Sequence, residues 1–182
     1  MNLSNTKVVF VLVPFLVLLS GCSQRNSEPV ILTVDEVKSL GLFEERAEIQ
    51  SAIMLDTGDC QLVSYKTEQD QIFRLILMSC LSETVEEAKK DFENDASESC
   101  EITQNFVGEN SFLEKCTDQS NVKFKSLNVL DGKNTFSISI KPENSDTEAQ
   151  LKKSYELLHT KTAQFDVFNS FRWILRIIRA AT

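Results

Sequence analysis

The sequence predicts an α+β domain: a meandering antiparallel sheet of about five to six strands, helices packed on it, and two disulfides inside it. Three observations carry that expectation. Capping-box signatures at Thr33-Val-Asp-Glu36 and Thr84-Val-Glu-Glu87 each open a short amphipathic segment. Apolar and polar residues alternate at 122–125 and again at 136–140, on either side of the hairpin dipeptide Asp131-Gly132. Cys60, Cys80, Cys100 and Cys116 fall where neighbouring strands would meet across turns.

Taken in order, Val37 and Leu40 form one face of a first helix that Gly41 stops. Residues 42–55 read as a second helix, with 52–55 equally readable as a strand. Strands at 61–66 and 72–78 flank a loop at 67–71. The Thr84 box then opens a helix through about Asn94, with Val85, Ala88 and Phe92 as its apolar stripe. Strands at about 101–106 and 111–117 surround the turn at 107–110. Val122 and Phe124 lie on one strand of the next hairpin, and Phe136, Ile138 and Ile140 on the other. Pro142 ends that strand. Ser145-Asp-Thr-Glu148 reads as a third box, opening a helix with Leu151, Tyr155 and Leu158 inward, and a separate amphipathic helix at about 163–181 closes the chain. With no repeat and no interior linker, 30–182 reads as a single domain.

Composition narrows the chemistry. The chain has 182 residues, 42% hydrophobic and 25% charged, as a globular protein does. Its five glycines are too scattered for a dinucleotide or Walker loop, which packs several backbone amides against phosphate. Its one histidine excludes every two-histidine metal site. No cofactor or metal is therefore expected.

The first segment reads as an address. A polar start with Lys7 precedes an apolar run over 8–19, too short at 1.5 Å per residue to cross a hydrocarbon core of about 30 Å. Leu19-Ser20-Gly21-Cys22 follows directly and resembles the lipobox of bacterial lipoproteins. That resemblance implies a signal peptide over 1–21, removed before Cys22, and a cysteine carrying diacylglycerol and a further acyl chain such as palmitate. Two or more chains anchor firmly, since each buried CH₂ contributes about 0.8 kcal/mol. Ser23, in place of the aspartate that retains Gram-negative lipoproteins at the inner membrane, implies an outer-membrane site facing the periplasm. In a Gram-positive host the site would be the outer face of the plasma membrane. Residues 22–29 read as the lipidated cysteine and a polar tether.

Lys7 is the only charged group in 1–21, so the chain from Cys22 carries 18 basic and 27 acidic groups, net −9. Such a balance repels nucleic acid. An even number of cysteines in an exported chain reads as a disulfide framework, and hairpin geometry favours Cys60–Cys80 with Cys100–Cys116. Zinc ligation by the four thiolates is the competing expectation, but the spacings lack the close C-x-x-C pairs of zinc sites.

Several residues invite a chemical role. Asp56-Thr57-Gly58, preceded by Ile53-Met54-Leu55, resembles the active-site loop of aspartic proteases of the dimeric retroviral type. There two aspartates share a proton and activate water. The resemblance implies an alternative function, a lipid-anchored hydrolase using Asp56. Asp59 and Cys60 depart from that family's pattern, and the competing expectation is a turn rich in Asp and Gly. His159 is the one candidate general base, set against an ordinary packed or surface histidine. Glu83, Glu86, Glu87, Asp91, Glu93 and Asp95 could hint at calcium but lack the spacing of a calcium loop, and read as a solvated helix face.

The C-terminal segment carries Phe165, Phe168, Phe171, Leu175 and Ile178 on one helical face. Trp173 widens it, and Arg172, Arg176 and Arg179 form a basic stripe beside it. Phe168, Arg172, Trp173, Arg176 and Arg179 are thus candidates for a partner or membrane interface, against a segment packed on its own sheet. The expectation from the whole sequence is a membrane-anchored envelope lipoprotein, non-enzymatic, that binds or helps assemble an envelope protein partner.

Overall fold

The computed structural model describes residues 29–94 and 99–181, with the side chains of Asn94 and of 165–181 outside the described set. Cys22, the expected signal peptide and most of the tether lie outside the described residues. So do the side chains of Phe168, Arg172, Trp173, Arg176 and Arg179.

Among the described residues, helices and strands follow the order α1 (Val34–Ser39), β1 (Ile49–Asp56), β2 (Cys60–Thr67), β3 (Leu75–Leu81), α2 (Val85–Asn94), β4 (Glu101–Gln104), β5 (Ser111–Thr117), β6 (Lys123–Asp131), β7 (Asn134–Ile140) and α3 (Thr147–Ala181). The strands form one antiparallel sheet in the order β1-β2-β3-β7-β6-β5-β4. The α+β class and the antiparallel sheet are as expected. The strand number is not: seven strands stand where five to six were expected.

The additional strand is β1, drawn from the segment that read equally as helix. Gln50, Ala52, Met54 and Leu55 are adequate helix formers without strict alternation, so local preference leaves the choice open. Pairing with β2 from Ile49↔Thr67 to Asp56↔Gln61 decides it. The end of the chain also differs from expectation. One helix of 35 residues, about 52 Å long, replaces two. No Gly or Pro occurs between 147 and 181 to break it.

Capping proceeds as the sequence implies at two of the three boxes. Thr33 Oγ accepts from the Glu36 amide at 3.4 Å, while Glu36 Oε2 accepts from the Thr33 amide at 2.6 Å. Thr84 and Glu87 exchange the same bonds at 3.1 and 3.2 Å. At the third, Asn144 and Thr147 hold the turn instead of Ser145 and Glu148. The Asn144 amide donates to Thr147 Oγ at 2.8 Å, and the Asp146 amide to Asn144 Oδ1 at 2.8 Å. Glu148 turns to Lys125 Nζ, 2.9 Å away.

The core lies on one face of the sheet. Leu127, Ile138 and Leu77 sit side by side across β6, β7 and β3, each fully buried. Val37, Leu151 and Leu158 cover them from α1 and α3. Burying each such side chain contributes roughly 1.5–3 kcal/mol. Tyr65 belongs to the same face, and its hydroxyl donates to the Leu32 carbonyl, fastening the segment before α1 to β2. Burial pushes that phenol up to about 12, so it stays a donor at any ordinary pH.

The opposite face carries α2, where Ala88 is buried and the Phe92 ring lies 5.1 Å from Phe112. It also carries both disulfides, paired as expected. Cys60 and Cys80 are direct partners across β2 and β3, with Cα atoms 4.0 Å apart. Cys100, just before β4, joins Cys116 of β5 at a Cα distance of 4.7 Å. Four cysteines consumed in this way leave no thiolate set for zinc among them.

Candidate binding surfaces

Three regions gather the polar and apolar groups that could meet another molecule. The first is a polar stripe across the α2 face. Strand alternation places Ser139, Ser126 and Glu114 side by side in one row, with Ser64 beyond Ile76 in the same row and Asn128 one row further on. Ser126 and Ser139 share a hydrogen bond of 2.6 Å between hydroxyls. Asn128 Nδ2 donates to Glu114 Oε2 at 3.2 Å. Glu114 is only 7% exposed, an unusual burial for a carboxylate. The stripe can donate and accept hydrogen bonds, but the chain's only imidazole sits on the other face of the sheet. Sequence reading passed over Glu114; the alternation Phe112-x-Glu114-x-Cys116 was the available signal.

That imidazole belongs to His159 on α3. Its Nδ1 lies 2.6 Å from Asp131 Oδ2 at the end of β6, and its side chain is 57% exposed. The Tyr155 ring packs at 5.7 Å, its phenol pushed upward by burial and by the Asp131 charge. His159 is thus a surface histidine paired to a strand end.

The acidic residues of α2 are partly spent on structure. Glu87 completes the capping box and Glu93 faces Lys89 at 3.8 Å. Asp95 lies outside the described residues. Among the described residues, no group of three or more His, Cys, Asp or Glu side chains is placed to hold a metal ion.

The third region is the β1 edge with its turn. Asp56-Thr57-Gly58 caps the β1–β2 hairpin in the manner of the turn expectation. Asp56 Oδ1 accepts from the Gly58 amide at 3.1 Å, and Asp56 Oδ2 from Gln61 Nε2 at 3.3 Å. Gly58 takes φ +84°, which an L side chain would resist. Both oxygens of the carboxylate therefore serve the turn. Beside it, Ile53, Met54 and Leu55 are 63%, 57% and 44% exposed, three consecutive apolar side chains on a strand with one neighbour. The sequence named this tripeptide for its place before the aspartate, not as a surface.

No protein-family model and no curated protein matches the chain. Among solved structures it is similar to a GTP binding regulator from Thermotoga maritima, at 12% identity, over 73% of this chain and 92% of that one, with a TM-score of 0.36. A likeness at that level transfers neither activity nor partner.

Proposed function

We propose that the chain is a lipid-anchored envelope lipoprotein, held through Cys22 at the outer membrane and facing the periplasm, that binds or helps assemble an envelope protein partner without catalysing a reaction. The observation that carries this is the tetrapeptide Leu19-Ser20-Gly21-Cys22 at the end of an apolar run of export length. The two disulfides support it, because such bonds persist in oxidising compartments. Among the described residues no helix is long and apolar enough to cross a membrane.

One contact bears on how such an anchored domain would be oriented. Lys161 Nζ donates to the Ile31 carbonyl at 2.9 Å and pairs with Glu36 at 2.6 Å. The chain therefore enters the fold beside the middle of α3. Seven residues from Cys22 to Glu28 reach at most about 25 Å, which bounds how far the anchor lies from that entry point. In this reading the basic, aromatic segment with Phe168, Arg172, Trp173, Arg176 and Arg179 would meet the membrane surface or a partner seated on it.

Cell fractionation of Cys22→Ala tests the anchor. The expected result is loss of the protein from the membrane fraction, and normal retention would remove the proposal. In-cell crosslinking of the intact protein and of one ending at Thr162 tests the partner. That truncation keeps Leu151, Leu158 and Lys161, so a folded but partnerless product assigns binding to the segment beyond.

A further inference from the structure

We propose that the outer edge of β1 is a strand-addition site for an extended, uncharged segment of a partner protein bearing Lys or Arg at both ends. Residues 49–55 contain no charge and no Pro, two of the devices that blunt natural edge strands, and a bulge, another such device, occurs only near their end between Ile53 and Leu55. The other edge of the same sheet shows the contrast: β4 has four residues, begins with Glu101, and is tied down by the adjacent Cys100–Cys116 bridge. β1 has eight residues and presents Ile53, Met54 and Leu55 to solvent.

Rigidity favours binding there. Thr57 donates its amide to the Cys60 carbonyl at 3.0 Å, and the Cys60–Cys80 bridge locks β2 to β3 directly behind the hairpin. A partner strand would add to a template already in its bound shape.

Charge selects the occupant. Exposed Glu44, Glu45 and Glu48 lie before the strand, Asp56 is its last residue and Asp59 follows, with Arg46 the one cation among them. Two copies joined antiparallel over residues 49–55 would set Glu48 of one against Asp56 of the other at both ends, a repulsive pairing. A segment with a cation at each end would meet both acidic groups favourably. Between Ile53 and Leu55 the β1–β2 ladder sets one residue more on β1 than on β2, and a strand added outside with the same count would carry its cations seven positions apart. The site goes beyond the anchoring proposal and stands on the surface alone; it names the chemistry of the expected partner.

The test uses the full-length protein purified in detergent and a labelled, end-blocked peptide, Lys-Thr-Val-Thr-Val-Thr-Val-Lys. Controls replace both lysines by glutamate or the central threonine by proline. Fluorescence anisotropy should show the lysine peptide binding at least tenfold tighter than the glutamate peptide, with the proline peptide failing to bind. Ile53→Lys, at an exposed position that leaves folding intact, should weaken binding at least tenfold. Glu48→Lys should narrow the preference for lysine over glutamate. Equal binding of the two charged peptides, no binding of any, or binding unchanged by Ile53→Lys would overturn the proposal. So would a dimer in sedimentation that Ile53→Lys dissolves, because the edge would then serve a second copy of this chain.

Discussion

Replacing Cys60 and Cys80 together by alanine removes a bridge between residues 20 apart in sequence and leaves the β2–β3 ladder otherwise intact. In the chain-entropy account a loop of this size restrains the unfolded chain by about 3.3 kcal/mol, and the 16-residue loop of Cys100–Cys116 by about 3.1 kcal/mol. The two pairs of variants should therefore lose nearly the same stability, although one bridge joins interior strands and the other an edge strand. With a urea slope of about 2 kcal/mol/M, each loss lowers the midpoint by about 1.5 M. In a thermal scan it appears as roughly 6–12 °C. The bridges share no residue and lie on different strand pairs, so the fourfold variant should lose about 6 kcal/mol, the sum of the two. Urea unfolding followed by circular dichroism on all three variants checks this. Losses differing by more than about 2 kcal/mol, or either below about 1 kcal/mol, would refute the loop-entropy reasoning and assign the stabilisation to native packing instead.

Other perturbations reach different parts of the molecule. Tyr65→Phe keeps the ring but strands the buried Leu32 carbonyl, and should cost about 1–3 kcal/mol in the same assay. Gly132→Ala meets no atom within 4 Å but must hold φ +61° at the β6–β7 turn, so it should cost about 1 kcal/mol through backbone strain alone. Acid should weaken the fold in a defined window. Bonds from Lys125, Lys141 and Arg74 hold the carboxyls of Glu148, Asp118 and Asp70 below their ordinary values. For Asp70, and for Glu36 with Lys161 and Thr33, hydrogen bonds to the carboxylate outweigh an opposing effect of burial. Depressed values mean stability fully present above about pH 5 and lost as pH falls through the folded values. Midpoints measured from pH 6 to 2 should fall in that lower range, less steeply in Glu148→Gln; a flat profile would refute the ion-pair assignment.

Local chemistry was enough for much of this fold. Thr33 and Thr84 open their helices with the bonds their boxes imply, because every partner lies within three residues. The hairpin dipeptide was expected as Asp131-Gly132, but Asp131 pairs with Asn134, so Gly132 and Lys133 form the loop and Gly132 alone takes a positive φ, as a type II′ turn requires. Sequential cysteine pairing followed from the same short range, each bridge spanning one strand pair.

What the sequence could not determine depended on distant partners. β1 became a strand because β2 offers it a ladder, and its own residues stay neutral between helix and strand. Glu114 is buried because of which face of β5 its neighbours turn inward, a parity set by pairing with β6. Ile53, Met54 and Leu55 are exposed because β1 took the edge, with β2 on one side and solvent on the other. Capping, turn conformation and alternation act within a few residues and can be read along the chain. Sheet order, burial and the identity of an edge are set by contacts between residues far apart in sequence, and those exist only once the chain has folded.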